Sequence, residues 1–540
     1  MTQLPDPATR PSPTEDGHDH SHGPADGAVS VFDAFHPPSD ERIDDCVHCG
    51  FCLPTCPTYL LEGNETNSPR GRIYLMKLGK AGEIPMDSEF VRNFDACLGC
   101  MACVTACPSG VKYDELIEAV RPQIERNWER TRADRAFRAL VFSLFPYPSR
   151  LRPAAFLGTV YQRLGLRRLA SRLGLLQRLP TRLQALEALL PPLSLKAVVA
   201  RQPAFTPAVG PRRRRVGMLS GCVQRVFFGD VNAAATRVLA AEGCDVVAPA
   251  QQRCCGALSS HAGREEEAVD RAKALIDSFD GTDVEDVVVN VAGCGSAMKE
   301  YGHLLRDEPG YAERAKAFSA KVRDVSELLH EIGPVAERHP VPARVAYHDA
   351  CHLGHAQQIT AQPRAVLRGI PGLTVLDIPE TEICCGSAGI YNLVQPVPAE
   401  ELGRRKVAQI DTTHPDAVVT ANAGCLLQVR RFLDAGVPLF HPVQLVDASI
   451  RGVDPIGAGP RADLDGAASS TDPSRTVGTD RTLGTSSGGT GDSVIAGTAG
   501  ATTGAMPADL DAGGADPTGA GPIAADPFGD GKTGPDGSSR

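Results

Sequence analysis

Two cysteine runs of one spacing govern what this chain can become. Cys46-x-x-Cys49-x-x-Cys52-x-x-x-Cys56 precedes Pro57, and Cys97-x-x-Cys100-x-x-Cys103-x-x-x-Cys107 precedes Pro108. Three thiolates at intervals of three let one loop wrap a cubic cluster, each meeting a different iron. A fourth, held before a proline, reaches across to the other cluster. The spacing predicts two [4Fe–4S] clusters, one on Cys46, Cys49, Cys52 and Cys107, the other on Cys97, Cys100, Cys103 and Cys56. Gly50 and Gly99 would let the backbone approach inorganic sulfide and aim N–H groups at it. Zinc would need only four of these eight thiolates and has no use for the doubling. Disulfides fit poorly with an odd count of seventeen cysteines. They fit poorly too with a first thirty residues rich in acids, prolines and histidines, where an export signal has a basic start and an apolar core. A cytoplasmic location is expected.

The expected architecture is multidomain. A disordered tail (1–35) precedes an α-helical dicluster ferredoxin-type domain (36–125) and a basic amphipathic helical linker (126–210). Two duplicated α/β cysteine-rich repeats (211–335 and 336–450) and a disordered acidic low-complexity tail (451–540) follow. His18, His20 and His22 in the first tail read as solvated. The last ninety residues have one aromatic, Phe528, and cannot offset their ordering entropy by burial. No apolar run approaches the roughly 20 residues of a membrane helix.

The gap from Cys56 to Cys97 is too long for a compact β ferredoxin. Within it, Ser68-Pro69-Arg70-Gly71-Arg72-Ile73-Tyr74-Leu75-Met76-Lys77 opens with a helix-start pattern. Arg70 and Arg72 either balance negative clusters or lie on the surface of that helix. From Arg121 to Arg215 stand twenty basic residues against four acids, although the whole chain carries −10. Leu166, Leu169, Leu173 and Leu176 recur there at helical spacing among Arg167, Arg168 and Arg172, and prolines, Pro153 among them, divide the segment into short helices. Residues 121–215 are expected either to face anionic lipid or an acidic partner, or to be solvated helices. Sparse aromatics argue against nucleic acid.

The third region repeats itself. Cys222, Cys254, Cys255 and Cys294 recur as Cys351, Cys384, Cys385 and Cys425 at offsets of 129, 130, 130 and 131 residues, each pair of adjacent cysteines followed by glycine. Apolar runs alternate with helical stretches, which predicts two small, largely parallel sheets with the cysteines at strand ends. Adjacent cysteines rarely join each other in a disulfide. Each set of four is therefore expected to hold a metal site, an iron–sulfur cluster or zinc. Cys244, unmatched in the second repeat, reads as a small buried hydrophobe. His348, His352 and His355 surround Cys351, and His348 reads as a structural strand residue. There is no G-x-G-x-x-G after a strand, no P-loop, no Ser–His–Asp set and no H-E-x-x-H. The chain is expected to carry single electrons with no flavin of its own, leaving any two-electron oxidation to a partner.

These segments resemble the glycolate oxidase iron–sulfur subunits and the wider group of dicluster proteins with two cysteine-rich CCG domains. The resemblance rests on Cys46 through Tyr59, Ser68 to Lys77, Cys107-Pro108-Ser109-Gly110-Val111, and Cys384 through Asn392. It covers about residues 40–450. It implies FAD-binding oxidase subunits as partners, glycolate as the compound they oxidise to glyoxylate, and a membrane acceptor such as quinone. It also implies peripheral attachment to the inner face of the membrane. Lactate and anaerobic glycerol-3-phosphate dehydrogenase subunits share the cysteine spacing and are alternatives. So are a heterodisulfide reductase-like catalytic subunit working at Cys384 and Cys385, and a zinc scaffold without redox function. CCG domains of the heterodisulfide type often add a cysteine three residues after the last. Here those positions are Ala297 and Gln428.

Overall fold

The computed structural model describes residues 29–191 and 201–457. The expected disorder of 1–28 and 458–540, and the histidines at 18, 20 and 22, lie outside them. The first region is helical, without a strand among the described residues before 205. Cys56 immediately precedes a short helix, α1 (Pro57–Glu62). Helix α2 (Pro69–Lys80) starts where the sequence signals it: the Ser68 hydroxyl accepts from Gly71 N–H at 3.0 Å, and Pro69 needs no partner in the first turn. Asp87 caps α3 (Ser88–Asp95), and α4 (Tyr113–Asn127) follows the second cysteine run. Ile73, Met76, Phe90, Phe94, Leu116, Ile117 and Val120 meet in one core, each burial stabilising by about 1.5–3 kcal/mol. Phe32 joins this core, and Val31 N–H donates to the Gly79 carbonyl at 3.0 Å. Ordered structure thus begins before residue 36, the expected boundary, because one apolar side chain and one backbone bond tie the segment down.

Among its described residues the linker has four α-helices, α5 (Arg132–Leu144), α6 (Pro148–Arg163), α7 (Leu166–Arg172) and α8 (Thr181–Ala188). Pro153 was expected to break the segment and instead lies inside α6. It stands near the helix start, where its missing N–H forfeits only one bond.

The first repeat forms a sheet from β1 (Phe205–Thr206), β2 (Arg214–Met218), β3 (Cys244–Val247), β4 (Asp286–Val289) and β5 (Val322–Asp324). Its order is β1-β3-β2-β4-β5, all parallel except β1. The second has β6 (Ala343–His348), β7 (Leu373–Asp377), β8 (Ala417–Thr420) and β9 (Leu439–Phe440) in the order β7-β6-β8-β9, all parallel. The last four strands of each sheet correspond, as the duplication requires. Parallel neighbours need helical crossovers, among them α9 (Gly229–Ala241), α10 (Glu265–Ser278) and, in the second repeat, α11 (Pro396–Asp411). A single buried cluster joins the repeats, from Val216, Val238 and Leu328 to Val345, Tyr347 and Val446. The final helix, α12 (Pro442–Arg451), packs on α9, with Arg237 and Asp447 paired at 2.7 Å across the junction. Cys244 lies in this shared core, fully buried.

Candidate metal centres

None of the seventeen cysteines is joined in a disulfide. The two N-terminal runs interlock. Cys107, from the second run, lies close enough to Cys46 to raise its pKa, an effect smaller than that of burial. Cys56, from the first run, acts in the same way on Cys100 and Cys103. The two groups differ in setting: Cys49 is exposed, whereas Cys56, Cys97, Cys100 and Cys103 are buried. Burial pushes the Cys52 thiol up to about 11 and holds those of Cys100 and Cys103 well above the usual thiol value. Eight thiolates crowded this way need positive charge among them, and the donor set fits iron–sulfur chemistry.

Part of that charge comes from arginines. Arg72 is 1 % exposed, so the alternative of a surface arginine on α2 does not hold. Its Nε donates to the Asn93 carbonyl at 2.6 Å and its Nη2 to the Thr58 hydroxyl at 3.1 Å. Burial opposes its charge, but Cys97, Tyr113 and Cys56 together hold its pKa above the usual value. Burial likewise opposes ionisation of Cys97, yet Arg72 and Arg121 bring its pKa below that of an ordinary thiol. Tyr113 Oη donates to Cys97 Sγ at 3.6 Å, and the Gly99 N–H at 3.4 Å. The two loop glycines leave room for guanidinium groups: a Cβ on Gly50 would lie 2.8 Å from Arg70 Nη1, and one on Gly99 3.2 Å from Arg121 Nη1.

The buried group abuts the second repeat. Cys100 and Leu98 share a core cluster with Cys384, Ile383 and Tyr391, and Cys351 is near enough to act on the Cys100 thiol. The Thr105 hydroxyl lies 2.8 Å from His355 Nδ1. In the repeats the cysteines follow strand ends. Cys222 and Cys351 come after β2 and β6, the adjacent pairs after β3 and β7, and Cys294 and Cys425 in the helix after β4 and β8. Each set forms a chain of interacting sulfurs: Cys222 to Cys254 to Cys255 to Cys294, and Cys351 to Cys384 to Cys385 to Cys425. Cys351 and Cys384 sulfurs are 3.8 Å apart. Asn422 Nδ2 donates to Cys425 Sγ at 3.3 Å.

Between the repeats lies a cavity of about 210 Å³ lined by cysteines of both sets. Its other walls include Phe145, Leu186, Leu189 and Leu190 of the linker, and no aspartate, glutamate, lysine or arginine lines it. His261 and His352 meet edge to face in it at 4.8 Å, both kept neutral by burial, with His352 brought down to about 4. His348 is buried on the last position of β6, and neither ring nitrogen has a protein partner. Arg72 was offered by the sequence as a balance to the clusters, whereas Arg121, His261 and Lys406 escaped sequence reasoning as parts of these sites. None sits in a motif, and each matters through contacts far along the chain.

Family models match in the order of these regions: a 4Fe-4S dicluster domain at residues 42–111, the linker region of the glycolate oxidase iron-sulfur subunit at 133–190, and a cysteine-rich domain at 216–299 and 345–430. These define an iron–sulfur protein of the dicluster and repeated-CCG class. The chain is 40 % identical over 402 residues to a probable glycolate oxidase iron-sulfur subunit of Bacillus subtilis, covering 72 % of this chain and 90 % of that one. It is 35 % identical over 398 residues to the glycolate oxidase iron-sulfur subunit of Escherichia coli, covering 72 % and 89 %. Lactate utilization protein A of Halalkalibacterium halodurans is 32 % identical over 216 residues, covering 40 % and 88 %. The chain belongs to the glycolate oxidase iron–sulfur subunit family. It is an iron–sulfur, electron-transferring subunit of an oxidoreductase.

Proposed function

We propose that this chain receives electrons from FAD-binding subunits that oxidise glycolate and passes them to a membrane quinone. In this reading Cys46, Cys49, Cys52 and Cys107 hold one [4Fe–4S] cluster, and Cys97, Cys100, Cys103 and Cys56 the other. When bound, such clusters supply one-electron carriers. The observation that carries the reading is the gradient of burial: one cysteine group reaches the surface at Cys49, and the other is sealed against the second repeat at Cys100 and Cys384. The exposed end suits a protein partner, since Val47 is 69 % exposed and Phe51 64 % exposed beside Cys46 and Cys52. The inner end leads toward the cavity between the repeats.

That cavity supports placing substrate oxidation on another chain. A hydroxy-acid anion buried there would lack a counter-charge, which costs several kcal/mol. A neutral, ring-shaped acceptor suits its aliphatic walls better. On the linker, Leu164, Leu166, Leu169, Leu173 and Leu175 are exposed among Arg163, Arg167, Arg168 and Arg172. This pattern supports lying against an anionic leaflet, each cation near the surface contributing about 1 kcal/mol.

The test is anaerobic purification of the full chain with its neighbours. Two distinct reduced-cluster signals in paramagnetic resonance, and an FAD-containing partner that co-purifies, are expected. Cys100→Ser should remove the inner signal and keep the outer one. A preparation without acid-labile sulfide would overturn the reading.

A further inference from the structure

The two repeats differ at one position that bears on metal chemistry. A ring nitrogen of His348 and the sulfurs of Cys385 and Cys425 lie within 4.8 Å of one another, all three residues buried. The repeat offset of 129 puts Leu219 at the matching place in the first repeat. There it packs into the hydrophobic core.

We propose that the second repeat binds a single divalent ion of the zinc class through His348, Cys385 and Cys425, and that the first repeat has no such imidazole ligand. The inference rests on the reading that the second repeat's cysteines hold metal, and it names the nitrogen ligand. Three arguments carry it. Thiolate and imidazole ligands of one tetrahedral ion stand about 4 Å apart, which needs only a slight contraction of the present arrangement. A multi-iron cluster takes its terminal ligands on separate irons instead. Secondly, a buried imidazole with neither nitrogen bonded leaves a desolvation cost that coordination relieves. Thr420, its cross-strand partner on β8, also carries a buried unbonded hydroxyl, a candidate to accept from the second ring nitrogen. Thirdly, two thiolates and one neutral imidazole around a divalent ion leave no net charge, as a buried site prefers. Asn422 Nδ2 already donates to Cys425 Sγ, the kind of outer contact that fixes a ligand.

The test uses the full chain, with zinc and iron counted per chain in the wild type, His348→Leu and Cys425→Ser. Both variants should lose one equivalent of zinc while the two dicluster signals persist. Zinc-edge X-ray absorption of the wild type should show a nitrogen scatterer with imidazole outer-ring features, which does not depend on how the variants fold. If Cys425→Ser loses zinc and His348→Leu retains it, or the zinc shell is sulfur alone, the imidazole assignment is wrong and the metal reading stands. If the metal lost is iron, the single-ion assignment is wrong. If neither variant loses metal, both fall.

Discussion

The glycine after each cysteine pair has a steric cause. Gly256 and Gly386 have φ of +84° and +87°, and a Cβ on Gly386 would lie 2.6 Å from the carbonyl oxygen of Ala399 on α11. Both the dihedral and the approach exclude a side chain. Gly386→Ala should cost about 2–4 kcal/mol in chemical unfolding and reduce the metal held by the second repeat. Arg72 makes a second case. Arg72→Gln removes the cation between Cys56 and Cys97 and leaves the Asn93 carbonyl and Thr58 hydroxyl short of a donor. It should destabilise the first region by about 3 kcal/mol and shift the inner cluster's potential negative in a redox titration, because reduction adds negative charge where a positive one was removed.

At the scale of elements, α4 carries a titratable contact. Glu118 meets Glu300, Asp114 and Glu115, with Arg121 opposing, and burial above all brings its pKa up to about 7. Burial raises Glu300 as well, helped by Asp114 and Glu115. A carboxyl raised on folding contributes stability that is present in acid and lost as pH climbs through its folded value. Unfolding free energy should therefore fall between about pH 5 and 8. Glu118→Gln should flatten that slope and gain about 1–3 kcal/mol at the upper end, measured by urea titration.

Patterns local in sequence were the legible ones. The cysteine runs, the duplication, the Ser68 cap and the strand-end placement of the repeat cysteines all follow from spacing. Arg72 was visible as either a balance to the clusters or a surface helix residue, and the choice between them depends on Asn93 and Thr58 on other segments. Lys406 is one residue of a 16-residue helix, and its electrostatic interaction with Cys384 and Cys385 depends on packing alone. His348 was read correctly as a strand residue. Its orphaned nitrogens show only in three dimensions.

At the scale of the molecule, charge segregation outweighs net charge. None of the described helices is long and apolar enough to cross a membrane, and the proposed membrane contact is on the linker surface. Leu169→Glu with Leu173→Glu should lower co-sedimentation with anionic vesicles at least tenfold while leaving cluster content unchanged. An equal effect on neutral vesicles would argue against the charge contribution.

The repeats' common interior also bears on ancestry. Each copy closes one core almost wholly within itself, but a second is shared, with Val238 and Leu328 of one covered along with Tyr347 and Val446 of the other. A gene split between Ile332 and Ala343 would yield two sticky fragments in place of two working modules. The shared core makes the halves mutually dependent, so that neither can leave without exposing the other.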